Sequence, residues 1–134
     1  MAMEVKALSF PMPDPGADNK VMLVLKAPDA GLGGGLTILA ADACDIAATG
    51  AGTSFSLALH RYSTAGTPAV NGTIAAAIGG TAATIWAAGV PQAFTIDADY
   101  AFLNAGEWLA VDYQEDNTSA PTNLFINVWY ALGK

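Results

Sequence analysis

The sequence predicts an all-β protein, a single-domain β-sandwich of jelly-roll type with eight or nine short antiparallel strands. Short segments rich in apolar and aromatic residues recur along the chain, separated by Gly, Pro, Asn or Asp, which is typical of strands joined by turns. No segment has the apolar spacing of an amphipathic helix. Connections of uneven length favour Greek-key crossings over the regular hairpins of an up-and-down barrel.

The N-terminal segment combines a short strand with a proline-rich stretch. Val5–Phe10 is predicted to be a strand, and three prolines follow it within residues 11–15. Proline cannot donate to a sheet ladder and is confined to edge strands, strand starts and bulges. We therefore divide the chain into an N-terminal Pro-rich arm, residues 1–19, and a β-sandwich domain, residues 20–134.

A glycine cluster lies between the next two predicted strands, Lys20–Ala27 and Leu36–Ala41. The first of these strands alternates. One face of it carries Val21, Leu23 and Leu25. The cluster, Gly31–Gly35, does not precede a helix, so it lacks the helix N-terminus of a phosphate-binding loop. It is expected to be a flexible turn or a close backbone approach at a subunit contact.

The clearest strand is Ser54–Tyr62, in which apolar and small or polar residues alternate. Its core-facing residues are predicted to be Phe55, Leu57 and Leu59. His60, the only histidine, is expected to face away from the core as an exposed or hydrogen-bonded side chain. The preceding residues 42–52 are expected to form a short helical turn or a loop between sheets.

The remaining strands are shorter or interrupted until the end of the chain. They are predicted at Ala69–Ile78, Thr84–Ala87, Ala93–Ile96, Tyr100–Leu103, Trp108–Tyr113 and Leu124–Ala131. A polar loop, residues 114–122, separates the last two, which are apolar on both faces. Such strands must be covered twice, so one face should lie in the sandwich core and the other against a second sheet or a partner subunit.

Charge excludes several partners. The formal net charge is −7, and the five basic residues do not cluster, so nucleic acid is excluded as a partner. Anionic membrane surfaces are disfavoured for the same reason. The charge-free stretch between Arg61 and Asp97 is long enough to cross a bilayer but contains many turn residues, so no membrane span is expected. Only 13% of residues are charged, which suggests a surface largely covered by neighbours.

No group of residues forms a recognisable catalytic or metal-binding motif. His60 has no nucleophile elbow to accompany it, and the acidic pair Asp97 and Asp99 lacks the spacing of a calcium loop. Cys44 stands alone and is expected to be a small buried residue. The N-terminus has no secretory pattern. We therefore predict a protein with no cofactor and no enzymatic activity.

Three segments resemble small accessory proteins of tailed-phage virions, the head decoration or cement class. They are Gly35–Asp42 continuing into Gly52–Tyr62, the Ala/Gly/Thr-rich segment Gly72–Thr81, and the turn-into-strand segment Leu103–Tyr113. The resemblance implies a homotrimer that binds the major capsid protein on the outside of the shell. Synthesis would occur in the host cytoplasm.

Subunit or shell contacts are expected at two prolines of the arm and at aromatic residues of the last two strands. The candidates are Pro11, Pro13, Trp108, Phe125, Trp129 and Tyr130. One alternative is a carbohydrate- or receptor-binding module with Tyr100, Trp108 and Tyr113 beside Asp97 and Asp99. Another is a structural component of a phage tail or baseplate.

Overall fold

The computed structural model describes residues 4–12, 19–46, 55–80, 86–115 and 124–133. In these ranges the chain forms nine β-strands and one short 3-10 helix, Ala30–Leu32. The strands are β1 Val5–Met12, β2 Asn19–Lys26, β3 Leu36–Asp45, β4 Phe55–Tyr62, β5 Pro68–Gly80, β6 Gln92–Ala93, β7 Phe102–Leu103, β8 Trp108–Glu115 and β9 Leu124–Leu132.

The strands form two antiparallel sheets. The β9 sheet has the order β1-β9-β3-β6, with β7 also paired to β3, and the β8 sheet has the order β2-β8-β4-β5. The pairs β1·β9, β2·β8, β3·β6 and β4·β5 are nested, so the chain is a long antiparallel ribbon that turns back at β4–β5. A ribbon rolled so that successive pairs alternate between two sheets is a jelly roll. The predicted fold class and strand number are confirmed.

The core lies between the two sheets and is filled from alternate positions of the long strands. Phe55, Leu57 and Leu59 of β4 are buried as predicted. The other long strands contribute Leu109, Val111 and Tyr113 from β8 and Leu124, Ile126 and Val128 from β9. The ring of Phe55 packs edge-on against Trp86 at 4.9 Å between centroids and stacks on Tyr113 at 6.4 Å.

The inward face of β2 differs from the simple alternation in its sequence. Val21 and Leu23 are 43% and 38% exposed, whereas Met22 and Val24 pack against the core. Leu25 also packs there, because the register with β8 shifts between Leu23 and Leu25. A bulge of this kind reverses which side chains point inward, so the three apolar residues do not share one face.

Several predicted boundaries change where long-range pairing extends or ends a strand. β3 continues to Asp45 because it pairs with β9 over its whole length, so residues 42–45 are strand and not a helical turn or loop. Trp86 and Ala87, the described part of the predicted strand Thr84–Ala87, are not in a strand. Ile96 forms only an isolated bridge, to Ala75.

The described part of the Pro-rich segment belongs to a sheet. β1 runs to Met12 and pairs with β9 as the edge strand of the β9 sheet, and it includes Pro11. Edge strands are where a proline can be accommodated. Residues 13–18 lie outside the described ranges.

The glycine cluster brings two backbone segments together within the chain. Gly33 and Gly34 have positive φ angles, +115° and +84°. Gly35 is buried against β7, and a Cβ there would overlap the carbonyl oxygen of Leu103 and the ring of Phe102. The close backbone approach at this cluster thus lies within the chain, between Gly35 and β7, whereas it was expected at a subunit contact.

Candidate interaction surface

The outward side of the β9 sheet is a continuous surface formed by three neighbouring strands, which we call the β9 face. Its nine positions form three rows across β1, β9 and β3: Pro11, Phe125 and Cys44; Ser9, Asn127 and Asp42; Ala7, Trp129 and Ala40. Side chains alternate across a strand, so these residues point away from the core that Ile126 and Val128 fill.

The middle row of the β9 face is a hydrogen-bonded ladder. Ser9 Oγ donates to Asn127 Oδ1 at 2.6 Å, and Asn127 Nδ2 donates to Asp42 Oδ1 at 2.7 Å. The ladder links all three strands and fixes the rotamer of Asn127 at its centre. Cross-strand polar pairs of this kind stabilise register.

The outer two rows of the β9 face are apolar. Phe125 and Trp129 lie on either side of Asn127 on β9, and both remain partly exposed. At about 3.3 Å per residue, the Cα atoms of Phe125 and Trp129 lie about 13 Å apart along the strand. The bulge between Ile38 and Ala40 leaves Leu39 beside this surface with 39% of its area exposed. Asp42 is the only charged residue among the nine positions.

The predicted contact residues divide into three groups. Pro11, Phe125 and Trp129 come together on the β9 face. Tyr130 instead packs against the core, because it has the same parity along β9 as Ile126 and Val128. Trp108 lies at the other sheet, and Pro13 is outside the described residues.

The outward side of the β8 sheet carries a polar cluster around the only histidine. His60 Nε2 lies 3.7 Å from Asp112 Oδ2, and His60 Nδ1 lies 3.4 Å from Thr73 Oγ1. His60 thus faces away from the core and has polar partners, as predicted. Burial raises the pKa of the neighbouring Tyr62 phenol, and the negative charge of Asp112 raises it further.

Trp108 lies at the end of the same outward side, opposite Tyr62 on β4 and Lys26 on β2. Lys26 Nζ lies 5.9 Å from the centroid of the Trp108 ring, within the range of a cation–π contact. Lys26 also forms an exposed ion pair with Asp29 at 3.6 Å. The tryptophan therefore has a partner within its own chain.

One end of the sandwich is closed by an arginine that joins the two sheets. Arg61 of β4 donates from Nη1 to the carbonyl oxygen of Phe102 in β7 at 3.3 Å. Its Nε lies 3.7 Å from Glu107 Oε2, and the two side chains are 20% and 14% exposed. Glu107 Oε1 also accepts hydrogen bonds from Asn104 N and Nδ2, at 2.7 and 2.8 Å. This network supports the turn before β8.

A shallow cleft of about 380 Å³ lies beside β5 and is lined by Thr73, Ala76, Thr95, Asp97 and Tyr100. Tyr100 and Asp97 belong to the set of residues expected for a carbohydrate-binding module. Tyr113 of that set is 1% exposed and lies in the core. Asp99 contributes its backbone N, which donates to Asp97 Oδ1 at 3.0 Å.

Cys44 and the acidic residues form no metal centre in the described ranges. No group of three or more His, Cys, Asp or Glu side chains there could hold a metal ion. Cys44 is a free thiol that is partly exposed on the β9 face rather than fully buried as predicted. Among the same residues, no helix is long and apolar enough to cross a membrane.

Sequence reasoning missed the polar row at the centre of the β9 face. Ser9 and Asp42 are 118 and 85 residues from Asn127 along the chain, so no local spacing connects them. The sequence did contain one indication of this surface, the alternation along β9. Because its even-numbered residues are apolar and are expected to face the core, the odd-numbered residues Phe125, Asn127 and Trp129 must share the other face.

Comparisons with known proteins add no relative. No protein-family model matches the chain, and no match was found among curated proteins or solved structures.

Proposed function

We propose that this protein is a non-enzymatic structural component of a phage virion, which binds the outside of the capsid and stabilises it as a homotrimer. The observation that carries the proposal is the β9 face, an outward sheet surface with two partly exposed aromatic side chains and a single charged residue. Contiguous apolar surface on a folded domain is typical of interaction sites. The jelly-roll fold, which viral capsid proteins also use, and the resemblance to decoration proteins support the proposal.

A copy of the same chain suits the β9 face better than a charged partner. Two copies with a net charge of −7 repel each other, so contact between them is favourable only where few charges meet. The one carboxylate of this surface, Asp42, already accepts a hydrogen bond from Asn127. Covering the rest of each aromatic ring contributes on the order of 1 kcal/mol.

The β9 face would form the centre of such an interface rather than all of it. Three strands about 4.8 Å apart and five residues of about 3.3 Å cover roughly 200–300 Å², whereas a stable interface buries about 800 Å² per partner. The remainder must come from surrounding surface, for which the exposed Leu39 is one candidate. Subunit or shell contact of Pro11 and Pro13 is part of the proposal.

The experiment compares the assembly of two charge-introducing variants. The wild-type chain has a mass of 13.6 kDa. Light scattering of the wild type is expected to give about three times that mass. Trp129→Glu places a charge on the β9 face and should give folded monomers. Leu23→Glu is the matched control, since it introduces the same charge at a half-exposed strand residue of the other sheet, opposite Ala110.

Cys44 supplies an independent readout, because it lies opposite Phe125 on the same face. Its reaction with a thiol reagent should slow as the trimer forms and should stay fast in Trp129→Glu. If the rate of the Cys44 reaction does not change as the trimer forms, the copies contact each other through a surface other than the β9 face.

Capsid binding is tested by co-sedimentation with shells assembled from the major capsid protein of the same phage. Wild type and Leu23→Glu should pellet with the shells, and Trp129→Glu should pellet less. A wild-type chain that remains monomeric and stays in solution contradicts the proposal. A tail-fibre or baseplate gene neighbourhood would favour the tail or baseplate alternative.

A further inference from the structure

The cleft beside β5 has a defined backbone frame. Ile96 and Asp97 contact β5, through an antiparallel bridge between Ile96 and Ala75 and a hydrogen bond of 2.8 Å from Asp97 N to Ile74 O. Tyr100 N donates to Asp97 O at 3.1 Å, and Asp99 N donates to Asp97 Oδ1 at 3.0 Å. The backbone of Tyr100 and the carboxylate of Asp97 are therefore held by a hydrogen-bonded turn and not by a free loop.

The lining combines an aromatic ring with a few hydrogen-bonding groups. Tyr100 and Ala76 provide apolar surface, and Thr95 provides a hydroxyl group that can donate and accept. The Thr73 hydroxyl is already shared with His60 Nδ1 and keeps only its remaining hydrogen-bonding capacity for a ligand. Asp97 Oδ1 is occupied by the turn, whereas its Oδ2 has no hydrogen-bond partner among the described residues. This second oxygen is available as a strong acceptor for a ligand hydroxyl.

Charge and size narrow the class of ligand. No Lys or Arg lines the cleft and Asp97 does, so an anionic ligand such as a phosphate or a carboxylate is disfavoured. The volume of about 380 Å³ is at the lower end of the range for small-molecule sites. A pyranose ring fits these conditions, because it is neutral, has an apolar C–H face for the tyrosine and carries hydroxyls for the carboxylate and threonines.

We propose that this cleft is a weak binding site for one neutral pyranose unit of a surface glycan. The sugar stacks on Tyr100 and donates a hydroxyl hydrogen bond to Asp97 Oδ2, with Thr73 and Thr95 at its edges. All five lining residues belong to β5 and the 94–100 segment, and none belongs to the β9 face. The site therefore does not rest on the assembly proposed above.

The test is an NMR titration of the ¹⁵N-labelled full chain with methyl glycosides of glucose, galactose, mannose and N-acetylglucosamine, at concentrations well into the millimolar range. At least one glycoside should shift the amide resonances of Thr73, Ala76, Thr95, Asp97 and Tyr100. Glycerol, which has hydroxyls but no ring face, should not. If none of the four glycosides shifts these resonances, the proposal is wrong.

Variants separate binding in the cleft from non-specific effects. Tyr100→Ala should weaken the affinity about tenfold through loss of stacking. Asp97→Asn retains the Oδ1 acceptor of the turn and should also weaken binding, so it covers the case in which Tyr100→Ala fails to fold. Asp99→Asn is the matched control and should bind normally, because only its backbone enters the turn. Equal glycoside affinity in all three variants would show that the sugar does not bind in this cleft. Trp129→Glu should bind the sugar as wild type does, whatever its assembly state.

Discussion

Asn127 Nδ2 donates a 2.7 Å hydrogen bond to Asp42 Oδ1, and these two residues face each other directly in the β9–β3 pairing. The amide is held from its other side by Ser9, so its orientation is determined by both neighbouring strands. The centre of the β9 face is thus rigid, while the aromatic rings beside it remain partly exposed. A preorganised polar centre lowers the entropy cost of covering the surface.

Replacing Asn127 by Asp should destabilise the fold. The change puts a carboxylate directly opposite Asp42 and removes the N–H donor, and like charges at facing positions are unfavourable. We expect a loss of about 1 kcal/mol in the free energy of unfolding, measured by urea denaturation. Part of the loss should return at high salt, because salt screens partly exposed charges. Asn127→Ser, which adds no charge, should show no such salt dependence.

Removing the inter-sheet contact of Arg61 should loosen one end of the sandwich. Arg61→Met deletes the hydrogen bond to Phe102 O and leaves the carboxylate of Glu107 without its cation. We expect a loss of about 1–3 kcal/mol in unfolding free energy. In a double-mutant cycle, Arg61→Met should cost less once Glu107 is already Gln. Additive effects would show that the two side chains do not interact in solution.

Two glycines of one cluster should respond oppositely to alanine. Gly35→Ala forces a Cβ into Leu103 O and the Phe102 ring, so β3 and β7 must separate at a cost of about 1–3 kcal/mol. Gly31 has open space around its Cβ position and no positive φ. Gly31→Ala should therefore be neutral or stabilising by up to about 1 kcal/mol. Thermal unfolding of the two variants measures the difference, and equal behaviour would contradict the close approach.

Tyr62 should make stability fall at high pH. Its pKa in the folded chain is raised above the ordinary value of 10.0, first by burial and then by Asp112. The unfolded chain then loses the phenolic proton at a lower pH than the folded chain does. The stabilisation is complete below pH 10 and is lost as the pH rises from there through the folded-state pKa. Tyr62→Phe should lose less stability over this interval in chemical denaturation, and Asp112→Asn should lower the phenol pKa seen by ultraviolet absorbance.

Local alternation was sufficient to predict the faces of some strands. In β4 every second residue is apolar, so the inward positions Phe55, Leu57 and Leu59 could be identified before any pairing was known. In β2 both faces carry apolar residues, and the inward face depends on a bulge set by pairing with β8. Asp42 to Asp45 have weak strand propensity, but pairing with β9 holds them in β3, since tertiary context overrides propensity.

The candidate surface was predictable in part for the same reason. Phe125 and Trp129 share a parity along β9 that excludes Tyr130, and this could be read from the sequence. That Pro11 joins them, and that Trp108 belongs to the other sheet, follows from pairings between distant segments. The cleft brings β5 together with residues 95–100 through one bridge and one hydrogen bond, which local patterns do not encode.

The nested pairing of the ribbon determines when the domain can fold during its synthesis. The last strand, β9, lies between β1 and β3, so the first and third strands have no common neighbour until it has been made. Until then, each of these strands has an edge without its β9 partner. Formation of the sheet is also slow, because its contacts join residues that are distant in the sequence. The order of the strands therefore delays formation of the β9 sheet until β9 has been made and leaves its early strands exposed to aggregation until then.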